Sequence, residues 1–216
     1  SFIERLVYPR FYLDFEAFAP AVPPFAGLRP YEHTPVIASI HVVADPGADP
    51  VAYAFVAKPG RDDRTAMYRW LTDTLGESGS VIVFSKTFES AMIRQLAGCA
   101  GDSGEAIVSR IVDLLEPFAG LWVYHPQQRG KVSLKRVLPV FTDTAGYHGE
   151  SVRDGMHANL GYIRLCDRSS EHPSHLAAEG ASDVLTRYAP ENTTYVPRAE
   201  EILQYCAVDT IAMHHV

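Results

Sequence analysis

Hydrophobic positions in the first sixty residues predict three β-strands. Residues 8–18, 36–44 and 51–57 are rich in β-branched and aromatic side chains, which are typical of strands. The segment DPGADP (45–50) consists of turn-forming residues, so we expect the second and third strands to form an antiparallel hairpin. The Pro-rich linker at 19–35 is expected to be an ordered loop.

Beyond residue 60 the pattern changes to an alternation of helices and strands. Residues 63–75 have helical spacing, whereas the short, fully apolar run 81–84 is typical of a strand buried on both faces of a mixed or parallel sheet. Because strands come first and β–α alternation follows, the pattern favours an α/β fold. We expect a mixed sheet whose first three strands are antiparallel, with helices packed on it. The remaining predicted helices cover 87–97 with Thr87 as N-cap, 104–118 with its end near Pro117, and 199–216.

The composition is that of an ordinary globular protein, with 47% hydrophobic and 21% charged residues. No apolar run approaches the roughly 20 residues of a membrane span, so we expect no membrane partner. The net charge of −7 argues against an extensive non-specific nucleic-acid binder, although bound divalent ions at an acidic site would supply positive charge to a phosphate. Three scattered cysteines favour a cytoplasmic location.

The domain prediction is a single unit over residues 1–216 with an irregular insertion at about 142–198. That insertion mixes turn formers and charges with little periodicity. It contains Cys166, His172 and His175, whose spacing fits no familiar closed zinc site. Because the first residue is Ser1 rather than Met, we expect the chain to be a fragment of a longer protein.

Two carboxylates, Asp14 and Glu16, interrupt the first predicted strand. Side chains alternate along a strand, so these two acids share one face and lie about 7 Å apart by strand rise. Like charges so close repel each other, and one pKa should rise unless a cation bridges them. The alternative is an edge strand whose outer face is wet.

Further acids follow at two other predicted elements. Tyr205 and Asp209 are four residues apart on the last predicted helix and therefore share a face. The residues around Asp209 are strongly apolar, so an acid there requires a reason, the alternative being a solvated helix face. Glu89 follows the buried strand 81–84, at the strand end where α/β proteins collect functional residues.

These motifs resemble those of the DEDD exonucleases of the ribonuclease H-like superfamily. The resemblance consists of Asp-x-Glu on a first strand, an acid after a strand and a Phe, and Tyr-x-x-x-Asp on a late helix, with YCAVD (205–209) matching the Tyr-type subgroup. An uncharacterised bacterial domain of that superfamily, often attached to RecB-like nuclease regions, is closer still. It resembles the segments YLDFEAF, VIVFSKTFE, VDLLEPF, VSLKRVLP and YCAVDT. The likeness spans most of residues 8–216 and is poorest over 160–198.

The resemblance implies a ribonuclease H-like mixed sheet and a 3′–5′ exonuclease that uses two Mg²⁺ or Mn²⁺ ions. Asp14 and Glu16 would be catalytic metal ligands, Glu89 and Asp209 would complete the ligand set, and Tyr205 would orient the attacking water. Glu89 departs from the family, which usually has Asp there. Clustered carboxylates without Cys or His suit Mg²⁺ or Mn²⁺, and two such ions about 3.5–4 Å apart clamp a scissile phosphate.

Residues outside these motifs extend the candidate site. Asp113 is a further candidate metal ligand, the alternative being a surface acid on the predicted helix 104–118. A basic segment contains Arg129, Lys131, Lys135 and Arg136 in an otherwise acidic chain. These side chains would hold the phosphate backbone of a single strand entering the site, the alternative being a solvated basic turn.

Three functions remain open from the sequence. The first is a metal-dependent nuclease with nucleic acid as partner, for which the resemblance implies a RecB-like nuclease region in the same chain. The second is a non-catalytic binding or docking module of a larger nuclease, which Glu89 and the acidic charge favour. The third is a phosphodiesterase for small nucleotides, which the low basic content suits. The nuclease interpretation predicts that Asp14, Glu16 and Asp209 converge within about 4–7 Å of one another.

Overall fold

The fold is a mixed five-stranded β-sheet with helices packed on it. The structure is a computed structural model that describes residues 2–58, 60–141 and 199–215. Within the last range, the side chains of 199–205 are not described. The strands are β1 (Arg10–Phe18), β2 (Thr34–Val43), β3 (Val51–Val56), β4 (Ser80–Val83) and β5 (Ile111–Asp113). The α-helices are α1 (Arg64–Leu75), α2 (Lys86–Ala100), α3 (Glu105–Val108), α4 (Leu115–Ala119), α5 (Leu134–Phe141) and α6 (Ala199–His215). Short 3₁₀ turns cover Ile3–Arg5 and Pro126–Gln128.

The sheet has the order β3-β2-β1-β4-β5. The pairs β1–β2 and β2–β3 are antiparallel, whereas β1–β4 and β4–β5 are parallel. The predicted α/β class and the antiparallel arrangement of the first three strands are therefore confirmed. The edge-strand alternative for β1 is wrong, because β1 lies in the middle of the sheet with a partner on each side.

Strand β1 runs past the end of its parallel neighbour. Pairing with β4 extends from Arg10 opposite Ser80 to Tyr12 opposite Ile82, while pairing with β2 continues through Asp14 opposite Ser39 and beyond. The two acids of β1 therefore lie where β4 ends and the chain turns into α2. In open α/β sheets, this carboxyl-end crevice is where binding sites form.

Side chains of β1 contribute to two core clusters. Phe11, Leu13 and Phe15 belong to a cluster that includes buried residues of α1 and α2 such as Leu71 and Ile93. Tyr12 belongs to a second cluster, with members from α5 and α6 such as Leu138 and Met213. The predicted alternation therefore holds along the strand until the register shifts between Glu16 and Ala17.

One predicted helix is wrong. Residues 104–118 form the short helix α3, then strand β5, then the short helix α4. Residues Ile111 and Val112 extend the sheet by pairing with Val81 and Ile82 of β4, and this tertiary pairing overrides the local helical spacing. Helix α2 also begins earlier than predicted, at Lys86 rather than after Thr87, with Ser85 at the N-cap position.

The predicted insertion at 142–198, with Cys166, His172 and His175, lies outside the described residues. In the part of the chain that the structure describes, no helix combines the length and the apolar character that crossing a membrane requires.

Candidate metal centre

Three carboxylates from opposite ends of the chain meet on one face of the sheet. Asp14 and Glu16 extend from β1, Asp209 extends from α6, and one oxygen of each lies within 4.8 Å of the others. Glu16 is 8% exposed, whereas Asp14 and Asp209 are half-buried. The predicted convergence of these three residues is confirmed, and we call them the acid cluster.

A buried polar network holds α6 against β2 at this point. The Ser39 hydroxyl donates to the Cys206 carbonyl oxygen at 2.9 Å and lies 3.0 Å from Thr210 Oγ1. Thr210 Oγ1 is also 2.7 Å from His41 Nδ1. Because Ser39 is opposite Asp14 in the β1–β2 register and Thr210 adjoins Asp209, this network sets the distance between the two acids.

Two histidines at this network have lowered pKa values. Burial lowers the pKa of His41, and the nearby His214 and His215 lower it further. Burial and the neighbouring His215 likewise lower the pKa of His214, whose Nδ1 lies 3.3 Å from the Tyr12 hydroxyl. With its proton on Nδ1, a neutral His41 can donate to Thr210 Oγ1, which leaves the Thr210 hydroxyl proton for Ser39 Oγ, so the network is satisfied without carrying charge into the core.

The acid cluster is electrostatically unfavourable without a cation. Two full charges 4.8 Å apart repel each other by about 3–4 kcal/mol at an effective dielectric constant of about 20. Burial raises the pKa of Asp14 well above its ordinary value, and the charges of Asp209 and Glu16 raise it further, while Lys135 opposes the rise. This arrangement favours either protonation or a bound positive charge.

Glu89 adds a fourth buried acid beside the cluster. It lies in the first turn of α2, is 3% exposed, and its Oε2 is buried without a hydrogen-bond partner. Burial raises the pKa of Glu89 well above its ordinary value, followed by the charges of Asp14, Glu16 and Asp113. Glu89 is not one of the three residues whose oxygens lie within 4.8 Å, but it is close enough for their charges to act on it.

Asp113 holds the backbone that carries Glu89. Its carboxylate accepts hydrogen bonds from the backbone N–H groups of Ser85 at 3.1 Å, Lys86 at 2.7 Å and Leu115 at 2.9 Å. Ser85 has a φ of 138°, a strained value for a residue with a side chain, and it connects β4 to α2. Asp113 therefore lies at the end of β5, outside the acid cluster, and accepts hydrogen bonds from backbone N–H groups at the N-termini of α2 and α4.

An open pocket of about 480 Å³ gives access to the acid cluster. Asp14 and Asp209 line it together with Lys135 at the start of α5, and apolar walls come from Phe84, Leu115, Val132, Leu134 and Met213. Of the predicted basic residues, Lys135 is therefore at the pocket, while Arg129, Lys131 and Arg136 are exposed on the same segment. Tyr205 lies one turn before Asp209 on α6, and its side chain is outside the described part.

Sequence reasoning missed the network of Ser39, His41 and Thr210. The available signal is weak: two polar residues occur within the otherwise apolar strand segment VIASIHVV, and buried polar side chains require partners. Nothing in the sequence indicates that the partner is Thr210, which lies 169 positions after His41.

Comparison with known proteins gives one family. A protein-family model described as "Domain of unknown function (DUF2779)" matches residues 11–133. The match covers more than half of the chain and includes Asp14, Glu16 and Glu89. No curated protein and no solved structure matches the chain.

Proposed function

The chain belongs to the family described as Domain of unknown function (DUF2779), and we propose that it is a metal-dependent nuclease with a ribonuclease H-like fold. The observation that carries the proposal is the acid cluster, in which Asp14 and Glu16 meet Asp209 from the other end of the chain within 4.8 Å. The sheet supports the fold assignment, since three antiparallel strands are followed by parallel ones, as the motif resemblance implies.

The residues present fit Mg²⁺ or Mn²⁺. Carboxylate oxygens are the donors that these hard cations prefer, and the cluster contains neither Cys nor His. The buried Oε2 of Glu89, which has no hydrogen-bond partner, is an independent sign, because such an atom is costly unless something binds it. Asp14, Glu16 and Asp209 would hold the ions, with Glu89 as a further ligand. When bound, such ions lower the pKa of a water and offset charge on a phosphate.

The protein's own residues then bind and orient the substrate. Lys135 lines the pocket and places a cation where a phosphate would enter between Asp14 and Asp209. Tyr205, one helical turn before Asp209, would orient the attacking water. Apolar side chains, among them Phe84 and Met213, form the walls beside the position where the reacting group would lie. The 3′–5′ polarity rests on the motif resemblance.

The test compares the wild type with Asp14→Asn and with the control Asp73→Asn, which changes an exposed acid of α1. We expect labelled single strands to be hydrolysed in Mg²⁺ or Mn²⁺. Loss of a ligand should lower the rate more than about 100-fold, since even outer-shell changes at metal sites cost 10–100-fold. Asp73→Asn should retain the wild-type rate. Titration calorimetry with Mn²⁺ should show binding to the wild type and to Asp73→Asn, and weakened binding to Asp14→Asn.

Three outcomes would overturn the nuclease assignment. Wild-type activity in Asp14→Asn would place the chemistry elsewhere. Strong binding of single strands without turnover in either metal would make the chain a binding module. Turnover of small chromogenic phosphodiesters alone, with oligonucleotides left intact, would make it a small-substrate phosphodiesterase.

A further inference from the structure

Large apolar side chains are exposed beside the pocket. Leu121, Trp122, Val123, Tyr124 and Phe141 are 67%, 62%, 40%, 48% and 40% exposed, and we call them the aromatic surface. Leu121 and Trp122 follow α4 directly, with their backbone N–H groups bonded to the carbonyls of Phe118 and Pro117. The proposed metal centre has no need of this group of residues, and exposed clusters of this kind mark interaction sites.

The aromatic surface and the pocket wall pack against the same buried ring, that of Phe118. Phe84 of the pocket wall lies 6.2 Å from Phe118, which lies 5.8 Å from Phe141, measured between ring centroids. Helix α5 makes a second connection, because Lys135 at the pocket and Phe141 at the surface are separated by about 9 Å of helical rise. A ligand that extends from the pocket along α5 therefore reaches the aromatic surface.

The charge of residues 117–141 favours a negatively charged ligand for the aromatic surface. Residues 117–141 contain four of the 19 Lys and Arg residues and none of the 26 Asp and Glu residues, in a chain of net charge −7. Arg129, Lys131 and Arg136 are exposed, and Lys135 lines the pocket. A segment that contains only positive charges attracts a polyanion, whereas an apolar protein partner would have no need of them.

The indole of Trp122 packs on one side against Gly120. A Cβ at Gly120 would lie 2.9 Å from Trp122 Nε1 and 3.1 Å from Cε2, so the indole lies against the glycine backbone. A glycine at this position leaves room for the ring, and the remainder of the ring is available to a ligand. Exposed aromatic rings in a cationic segment of the chain are typical of single-strand binding, since every base has a face that can stack.

We propose that the aromatic surface stacks unpaired bases of a single-stranded nucleic acid whose backbone enters the acid pocket past Lys135. This inference rests on the proposed nuclease function and specifies its substrate. At about 3.4 Å per stacked nucleotide, the 9 Å between pocket and surface corresponds to roughly three nucleotides. Oligonucleotides longer than that extend past Phe141, whose ring lies 6.3 Å from that of His125, towards Tyr124 and Trp122. Dinucleotides and small phosphodiesters are too short to do so.

The kinetic test uses Trp122→Ala, the conservative variant Trp122→Phe and the control Tyr53→Ala, which removes a half-exposed aromatic ring from β3. Stacking of one base contributes about 1–3 kcal/mol, so Trp122→Ala should raise KM for an octanucleotide by about 5–150-fold. Its kcat, and its turnover of a chromogenic phosphodiester, should remain at wild-type values. Trp122→Phe should restore most of the affinity, and Tyr53→Ala should match the wild type.

A direct measurement uses the fluorescence of Trp122. The chain has two tryptophans, and Trp70 packs against Phe55 at 5.7 Å, so Trp70→Phe leaves Trp122 as the sole indole. An octanucleotide added in Ca²⁺ should quench its emission, and a dinucleotide should not. An unchanged octanucleotide KM in Trp122→Ala would overturn the inference while the nuclease stands, because chromogenic turnover measures the acid cluster separately.

Other outcomes also separate the two proposals. Quenching by the octanucleotide in a protein without any metal-dependent turnover would support the surface and contradict the nuclease. Self-association that Trp122→Ala abolishes, without quenching by the octanucleotide, would assign the aromatic surface to a second copy of the chain and overturn the inference.

Discussion

Replacing Thr210 with valine tests whether polar contacts hold α6 in the position that completes the acid cluster. Valine keeps the shape of threonine but removes the hydroxyl that lies 3.0 Å from Ser39 Oγ and 2.7 Å from His41 Nδ1. Each buried hydrogen bond contributes about 0.5–1.5 kcal/mol, and a buried group left without a partner costs about 1–3 kcal/mol. We therefore expect the free energy of unfolding to fall by about 2–4 kcal/mol.

Thermal unfolding by circular dichroism measures this loss. For a chain of this size, about 1 kcal/mol corresponds to 2–4 °C in Tm, so Thr210→Val should melt about 4–15 °C below the wild type. The control is Thr72→Val on α1, which removes a hydroxyl bonded to Arg69 in the preceding turn at 2.8 Å and should shift Tm by about 2 °C at most. A double-mutant cycle with Ser39→Ala should give a coupling energy of about 0.5–1.5 kcal/mol.

Metal binding supplies the second readout. Asp209 is adjacent to Thr210, so a loosened α6 should weaken Mn²⁺ binding about 10–100-fold, the usual effect of losing support around a metal site. The reasoning would be refuted if Thr210→Val melted within about 1 °C of Thr72→Val. It would also be refuted if Thr210→Val lost stability but bound Mn²⁺ with wild-type affinity, since the network would then have no part in positioning Asp209.

Two further predictions concern the acids beside the cluster. Glu89→Gln should stabilise the metal-free protein by about 1–3 kcal/mol at about pH 7.5, because it removes the charge of a buried carboxylate whose Oε2 has no hydrogen-bond partner. Burial raises the pKa of Glu89, so the ionised form destabilises the fold at high pH; the gain should disappear towards about pH 4, where the unfolded chain is also protonated. A Glu89→Gln protein less stable than the wild type in EDTA would contradict this. Asp113→Ala removes three backbone hydrogen bonds and should cost about 2–3 kcal/mol while preserving the rise in Tm that Mn²⁺ produces; loss of that rise would make Asp113 a metal ligand.

The sequence predicts most of the sheet because its signals there are local. The strands β1, β2 and β3 have alternating or continuous apolar positions, and DPGADP has the residues of a turn, so the hairpin follows from the residues alone. Strand β5 is different, since it has three residues and is defined by its pairing with β4. Three residues are too few to show a hydrophobic period, and the helical spacing of the flanking residues masks the strand.

The residues of the site also divide into those that local patterns predict and those that only the folded sheet defines. Alternation along β1 places Asp14 and Glu16 on one face, and the apolar surroundings of Asp209 mark it as exceptional, so these residues are predictable from short patterns. The role of Asp113 is not predictable in this way. Its partner Leu115 is only two residues away, but Ser85 and Lys86 are brought to it by the parallel arrangement of β4 and β5, which exists only in the folded sheet.

The acid cluster also determines how early during synthesis of the chain the proposed metal site can form. Asp209 follows Asp14 by 195 positions, and a ribosome adds about 5–20 residues per second, so about 10–40 s pass between the synthesis of the two acids. Over that interval the nascent chain contains Asp14 and Glu16 on β1 without α6. The acid cluster, and any metal site built on it, is therefore incomplete until α6 has emerged and packed against β1 and β2.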